Sequence, residues 1–296
     1  MDAVLNINNL SKSYGKIKAL DGLNLSIERG NIYGILGPNG SGKTTTLGLI
    51  LSILKANSGS FTWFDGRYST NPRRYIGAIL ETPNFYPYKS GIDNLKIIAA
   101  IKKVRDFDFD QALKIVNLEH RKTSKFRTYS LGMKQRLAIA ATMIGNPDVV
   151  IFDEPTNGLD PAGIAEVREI LTRIAEAGHT VIMASHILDE VEKICSHVAI
   201  LKRGKLLASG MVGELLSSDY IIQINATDEI KMKAFFEETV PIRKSIKDDK
   251  YWVCNVDKNV DPDEISRMAF EKGLIINHFV VKKQSLEKEF LTITNS

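Results

Sequence analysis

No stretch of roughly 18 consecutive apolar residues occurs in the 296-residue chain, so the sequence offers no candidate transmembrane helix. The first residues, Met1-Asp2-Ala3-Val4, lack the basic-then-apolar order of a secretory leader. Cysteine is nearly absent. Cys195 and Cys254 stand alone without metal-ligand spacing, which excludes a disulfide framework and points to two reduced, buried thiols in a cytosolic compartment. Strong charge of either sign is missing too. The net charge is +4, and residues 217–296 hold 12 basic and 14 acidic side chains, so the small positive excess lies upstream of them. That excess suits nucleotide or an anionic membrane surface and is too small to argue for nucleic acid. There is no internal repeat, low-complexity tract or heptad run. What remains is an ordinary globular composition, long enough for one large domain and a smaller one.

The most informative segment present is Gly37-Pro38-Asn39-Gly40-Ser41-Gly42-Lys43-Thr44, which fits G-x-x-x-x-G-K-[ST]. An apolar run, Ile32 to Leu36, precedes it and reads as a buried strand; Thr44 to Leu54 follows and reads as a helix. Strand, glycine-rich turn and helix N-terminus make an anion cradle in which backbone N–H groups face phosphate. Lys43 is expected to reach the β- and γ-phosphates, and the Thr44 hydroxyl, followed by Thr45, to face Mg²⁺ and phosphate. A second half of such a site is Val149-Val150-Ile151-Phe152-Asp153-Glu154, four apolar residues delivering two carboxylates to a strand end. Ligands bind at that end of an open parallel sheet. Asp153 is expected to hold Mg²⁺ and Glu154 to accept a proton from the attacking water.

Around these motifs the pattern is ordered. Residues 3–36 read as strands, with a turn at Gly15, and Ser60 to Phe64 and Ile76 to Leu80 as short strands. From about 90 to 146 the period becomes helical. Pro161 to Ala177 reads as an amphipathic helix with Ile164, Val167, Ile170, Leu171, Ile174 and Ala177 on one face. Strand Thr180 to Ala184, helix Leu188 to Ile194 and a hairpin turning at Arg203-Gly204 follow. A boundary is expected near Ser217-Ser218-Asp219. Beyond it the order is strand 220–226, helix 228–239, strands near 242–247 and 251–256, helix 261–272 and strand 274–281, a βαββαβ module of ferredoxin-like type. A last short helix is expected at Ser285 to Leu291.

Other segments carry a family resemblance. Tyr129-Ser130-Leu131-Gly132-Met133-Lys134-Gln135-Arg136-Leu137 resembles the signature segment of ATP-binding cassette (ABC) ATPases, with Leu-Gly in place of the central glycine pair. Glu154 to Pro161 resembles the stretch from catalytic glutamate to D-loop, Ala184-Ser185-His186 the switch histidine, and Tyr14 the aromatic that stacks on adenine. The resemblance covers roughly residues 3–215. It implies an α/β fold: a P-loop ABC ATPase with a mixed β-sheet core, an antiparallel β subdomain and an inserted helical subdomain at about 85–146. Together these form an ATP-binding domain of residues 1–216, with the α+β module at 217–296. It further implies ATP and Mg²⁺ as cofactors. In the implied head-to-tail dimer, one subunit's Ser130, Gly132 and Asp160 complete the other's phosphate site; the complete set of motifs favours a homodimer over a heterodimer with a paralogue. Ser130 opens a helix from Leu131 to Ile144, so its hydroxyl and the free N–H groups there form an anion site of their own.

One departure is Glu81, in Ile79-Leu80-Glu81-Thr82-Pro83, where the family usually has glutamine. A carboxylate only accepts hydrogen bonds and adds charge near the metal, so Glu81 is expected at the catalytic and metal site, tuning coupling to a membrane partner, with neutral replacement at a tolerant position as the alternative. With the Ser-Leu-Gly-Met signature it resembles bacterial exporters that protect cells from lantibiotics and bacitracin. The tail Ser285-Leu286-Glu287-x-x-Phe290 resembles the ending common in bacterial drug-exporter ATPase subunits. The resemblance thus implies the ATP-hydrolysing subunit of an exporter, at the inner face of the cell membrane, acting on a permease encoded separately. That permease is expected to dock around Glu81 and Pro83 to Leu95, where Phe85, Tyr86 and Tyr88 offer apolar contact or pack the helical lobe. A soluble ABC ATPase of a non-transport assembly machine is the rival expectation, and a sensor without turnover a weaker one.

Overall fold

A computed structural model of the chain describes residues 3–68, 70–80, 84–215, 220–238, 242–247, 250–256 and 260–283. Two compact units are present, Met1–Val212 and Gly213–Ser296. The division falls a few residues before the expected 216/217.

The first unit begins with β1 (Ala3–Tyr14), β2 (Ile17–Glu28), β3 (Ile32–Leu36), α1 (Lys43–Ile50), β4 (Ser58–Trp63) and β5 (Ile76–Ile79). A helical segment follows: α2 (Gly91–Lys102), α3 (Phe109–Ile115) and α4 (Leu131–Thr142). The chain then continues through β6 (Val149–Asp153), α5 (Pro161–Glu176), β7 (Thr180–Ser185), α6 (Leu188–Ile194), β8 (His197–Lys202), β9 (Lys205–Met211) and α7 (Val212–Leu215). A three-stranded antiparallel sheet has order β2-β1-β4. The main sheet has order β5-β6-β7-β3-β8-β9, parallel except for the antiparallel β8–β9 hairpin. The hairpin turns on Arg203 and Gly204, both at positive φ, as a two-residue type I′ loop demands.

Strands β3, β6 and β7 are buried along their whole length, which explains their continuous apolar runs. One core joins the two sheets and α1 through Leu5, Leu23, Leu47, Val149, Ile182 and Ala199. Helix α1 ends at Ile50, short of the expected Leu54. Ser52 takes φ 57°, and the N–H groups of Ile53 and Leu54 fold back onto Gly48 O. Trp63 Nε1 then caps the freed Ile50 carbonyl at 2.8 Å. Helix α5 buries Val167, Ile170, Leu171 and Ile174 as expected, with Ile164 half-buried. Ala177 is exposed, a correction to its assignment to the apolar face. It is the C-cap, and Gly178 at φ 96° turns the chain away.

Cations hold the C-terminal carbonyls around the helical segment, where they complement the helix dipole. Arg136 Nη1 donates to Val116 O and Asn117 O, Arg173 Nη1 to Ile115 O, and Lys102 Nζ to Ile144 O.

The second unit is β10 (Tyr220–Ala226), α8 (Glu229–Glu238), β11 (Ile242–Lys247), β12 (Trp252–Val256), α9 (Pro262–Glu271) and β13 (Ile276–Lys283). Its sheet runs β11-β12-β10-β13, antiparallel throughout. The two central strands are therefore the first and third of the module, which is the ferredoxin-like arrangement. Ile222, Ile224, Met232, Phe235, Cys254, Val256, Ile265 and Leu274 form its own core. Glu81, the boundary residues 217–219 and the expected helix at Ser285 to Leu291 lie outside the described residues.

Candidate active site

The order β6-β7-β3 places three motif-bearing strand ends side by side. Leu36 of β3 is in register with Ser185 of β7, and Asp153 of β6 with Ala184. The glycine loop, the two carboxylates and His186 therefore leave the same edge of the sheet.

In the loop, Pro38, Asn39 and Gly40 are exposed at the tip, while Gly37, Ser41, Gly42 and Lys43 are buried. The first α-helical bond of α1 is Thr46 N to Gly42 O at 2.8 Å, so the N–H groups of Lys43, Thr44 and Thr45 have no partner within the helix. They form the positive end of its dipole. Gly42 has φ 109°, and a Cβ there would lie 2.6 Å from Ala19 O. Ser41 Oγ is buried without a hydrogen-bond partner among the described residues.

Lys43 is only 6% exposed. Its ammonium donates to Gly37 O at 2.8 Å and Pro38 O at 3.4 Å, and lies 3.4 Å from Glu154 Oε1. Thr44 Oγ1 donates to Asp153 Oδ2 at 2.8 Å. Glu154 Oε2 accepts from His186 Nδ1 at 2.8 Å. Glu154 itself has φ 49°, a left-handed conformation uncommon for a side chain of this size. Its N–H bonds Ala184 O at 3.0 Å. Five predicted residues thus meet in two adjoining groups, Thr44 with Asp153 and Lys43 with Glu154 and His186, joined through the chain neighbours Lys43-Thr44 and Asp153-Glu154.

The other predicted residues lie outside those groups. Tyr14 is 49% exposed at the end of β1, with Lys12 Nζ 5.2 Å from its ring centroid. Ser130 is exposed and caps α4, its Oγ accepting from Met133 N at 3.3 Å. Asp160 caps α5 by accepting from Gly163 N at 2.9 Å. A Cβ on Gly132 would meet Leu159 Cδ2 at 3.8 Å, so the signature segment packs against the D-loop. Sequence reasoning did not single out Thr156 and Glu190, which bond each other in the interior. An acidic residue beside Val191 on the buried side of a short helix was the available signal.

The ABC transporter family profile matches residues 20–157. The chain is 36% identical to the ABC transporter ATP-binding protein YdbJ of Bacillus subtilis, over all of this chain and 96% of that protein. It is 34% identical to the bacitracin transport ATP-binding protein BcrA of Bacillus licheniformis, over 99% of this chain and 98% of that protein. The chain belongs to the ABC transporter ATP-binding proteins. The lantibiotic transport ATP-binding protein SrtF of Streptococcus pyogenes is 40% identical over 69% of this chain and 89% of its own length. Among solved structures, cbiO1 of Clostridium perfringens superposes with a TM-score of 0.65 at 29% identity, covering 79% of this chain and 95% of that one. The ATP-binding cassette MJ0796, in a dimeric post-hydrolysis state bound to ADP and Pi, gives 0.61 at 26% identity over 70% and 98%.

The activity of this ABC ATP-binding subunit is ATP hydrolysis. The relatives do not favour a soluble assembly ATPase. No helix among the described residues is long and apolar enough to cross a membrane. Two surface features adjoin the helical segment. A cavity of about 490 Å³ is lined by Ile79, Leu80, Asn84, Phe85, Ile98 and Lys102, among others. Phe85 is half-buried and packs on Phe126 with centroids 5.0 Å apart, while Tyr86 and Tyr88 are 48% and 62% exposed.

Proposed function

We propose that two copies of this chain close head to tail on two ATP molecules and drive a separate permease exporting an antimicrobial peptide of the bacitracin or lantibiotic kind. The observation that carries the reading is the convergence of the Thr44–Asp153 pair and the Lys43–Glu154–His186 group at the same ends of neighbouring strands. Near-full-length similarity to a bacitracin transport ATP-binding protein supports the cargo class.

In this reading, Gly37 to Thr45 wrap the phosphates, and Lys43 exchanges its carbonyl and Glu154 contacts for β- and γ-phosphate oxygens. Thr44 and Asp153 offer Mg²⁺ a hydroxyl and a carboxylate whose oxygens already converge, hard donors of the kind this ion takes alongside water and phosphate. When bound, the ion neutralises phosphate charge. Glu154 accepts the proton of the attacking water, and His186, bonded to it, orients that carboxylate and reaches the γ-phosphate. Tyr14 stacks on adenine. Ser130 and Gly132, with the free N–H groups opening α4, face the partner copy's nucleotide, and Asp160 supports that contact.

The permease docks in the cavity beside Leu80 and Phe85, with Tyr86 and Tyr88 as exposed apolar contacts. The chain therefore works at the inner face of the cell membrane. Glu81, next to Leu80 in sequence, tunes coupling to the permease in this reading. Equal transport by wild type and Glu81→Gln would remove this role.

The test is capture of tagged Glu154→Gln protein with Mg-ATP from detergent-solubilised membranes of its host. A multi-span membrane protein in stoichiometric amount is the expected result. Soluble partners alone would overturn the transport half of the reading.

A further inference from the structure

Thr156 and Glu190 join two segments that each carry one member of the Glu154–His186 pair. Thr156 lies two residues after Glu154, and Glu190 four residues after His186 in the first turn of α6. Both are almost wholly buried, at 2% and 3% exposure. Thr156 Oγ1 donates to Glu190 Oε2, and Glu190 Oε1 has no hydrogen-bond partner among the described residues.

Burying a carboxylate with so little compensation is unfavourable. The N-terminal turn of α6 offsets part of that cost through its dipole. An apolar residue would fill the same space without the cost, so packing alone does not account for an acid here.

The backbone nearby supplies the reason. Glu154 is held at φ 49°, and a strained residue persists only where its surroundings over-determine it. Glu154 N bonds Ala184 O, Asn157 N bonds Glu154 O and Leu159 N bonds Thr156 O. These bonds shape the turn. Beside the Glu154–His186 bond itself, the Thr156 hydroxyl adds a buried side-chain bond from this turn to α6, which follows the segment presenting His186.

We infer that Glu190 is a positioning residue for ATP hydrolysis: through Thr156 it fixes the turn that aims Glu154 and keeps that carboxylate in reach of His186. The inference rests on Glu154 serving as the base. Glu190 touches neither nucleotide nor water in this account, so its loss lowers turnover and leaves ATP binding intact. The carboxylate acts as a hydrogen-bond acceptor, and a glutamine amide oxygen can accept from the same hydroxyl.

The test uses the full chain and compares Glu190→Ala, Glu190→Gln, Thr156→Val, Thr156→Ser and Glu154→Gln. Turnover, ATP affinity by a fluorescent analogue and melting temperature are measured for each. Displacing a catalytic group slightly is expected to reduce kcat about 10- to 100-fold in Glu190→Ala and Thr156→Val, with ATP affinity within about twofold of wild type. Glu190→Gln and Thr156→Ser restore most of the rate, and Glu190→Ala combined with Thr156→Val is no worse than either alone. Thr156→Val is nearly isosteric and carries the test if Glu190→Ala does not fold. Wild-type kcat in both Glu190→Ala and Thr156→Val would overturn the inference. So would losses of kcat, affinity and melting temperature in step. An inactive Glu154→Gln beside a fully active Glu190→Ala would remove the positioning role alone. A fully active Glu154→Gln would remove the site reading beneath it.

Discussion

One Glu154 carboxylate bridges Lys43 and His186, with Oε1 3.4 Å from the lysine ammonium and Oε2 2.8 Å from the imidazole Nδ1. The lysine expected to grip phosphate is thus already engaged by the residue expected to activate water. If Lys43 grips phosphate as proposed, that contact would compete with Glu154 for one ammonium and couple nucleotide entry to release of the carboxylate.

Removing Lys43 tests the first half of that competition. A charged hydrogen bond contributes about 1.5–3 kcal/mol, so Lys43→Ala is expected to weaken ATP binding about 10- to 100-fold. A fluorescent ATP analogue titrated against both proteins reads this directly. Unchanged affinity would mean that Lys43 does not face the phosphates.

Gly40 and Gly42 both have positive φ but differ in surroundings. A Cβ at Gly40 meets nothing within 4 Å, whereas one at Gly42 lies 2.6 Å from Ala19 O. Gly40→Ala should therefore cost only the left-handed backbone strain, about 1–2 kcal/mol. Gly42→Ala should cost more and displace the loop from α1. Urea unfolding of the two variants ranks them, and equal losses would contradict the loop geometry.

The thiols should be inert in the folded protein. Burial pushes the Cys195 pKa well above the ordinary thiol value and that of Cys254 up to about 12. Both stay protonated at neutral and mildly alkaline pH, and the thiolate is the reactive form. Ellman's reagent at pH 8 is expected to label neither thiol until the chain is unfolded. Rapid native labelling would show that the cores around them open.

The two units have separate hydrophobic cores, one around Leu5, Leu47 and Val149, the other around Ile222, Phe235 and Val256. A fragment of residues 1–216 should fold cooperatively and bind ATP. Loss of its cooperative melting transition would show that the first unit depends on the second.

Much of this was legible because the relevant signals are local. The glycine loop, the Val149–Asp153 strand and the βαββαβ order each sit within one short stretch. Strand order was not legible: β3 pairs with β7 between residues about 150 positions apart in sequence, and no local pattern encodes such a partner. The direct Lys43–Glu154 contact was not legible either: the phosphate loop and the carboxylate strand read as two halves of one site, but no spacing placed these two side chains against each other. Ala177 misled because amphipathic spacing continues one residue past the helix, to a C-cap whose fate is set by Gly178. Thr156 lies inside the Glu154 to Pro161 segment, but no motif pairs it with Glu190, and only the fold brings the two together.

The most direct test of the site is ATP turnover by Glu154→Gln, measured beside wild type with size-exclusion chromatography in Mg-ATP. If Glu154 is the base of a site shared by two copies, turnover falls at least about 100-fold, the lower range for losing a general base, and a nucleotide-bound dimer accumulates. Hydrolysis at the wild-type rate, with the chain eluting as a monomer, would contradict the account.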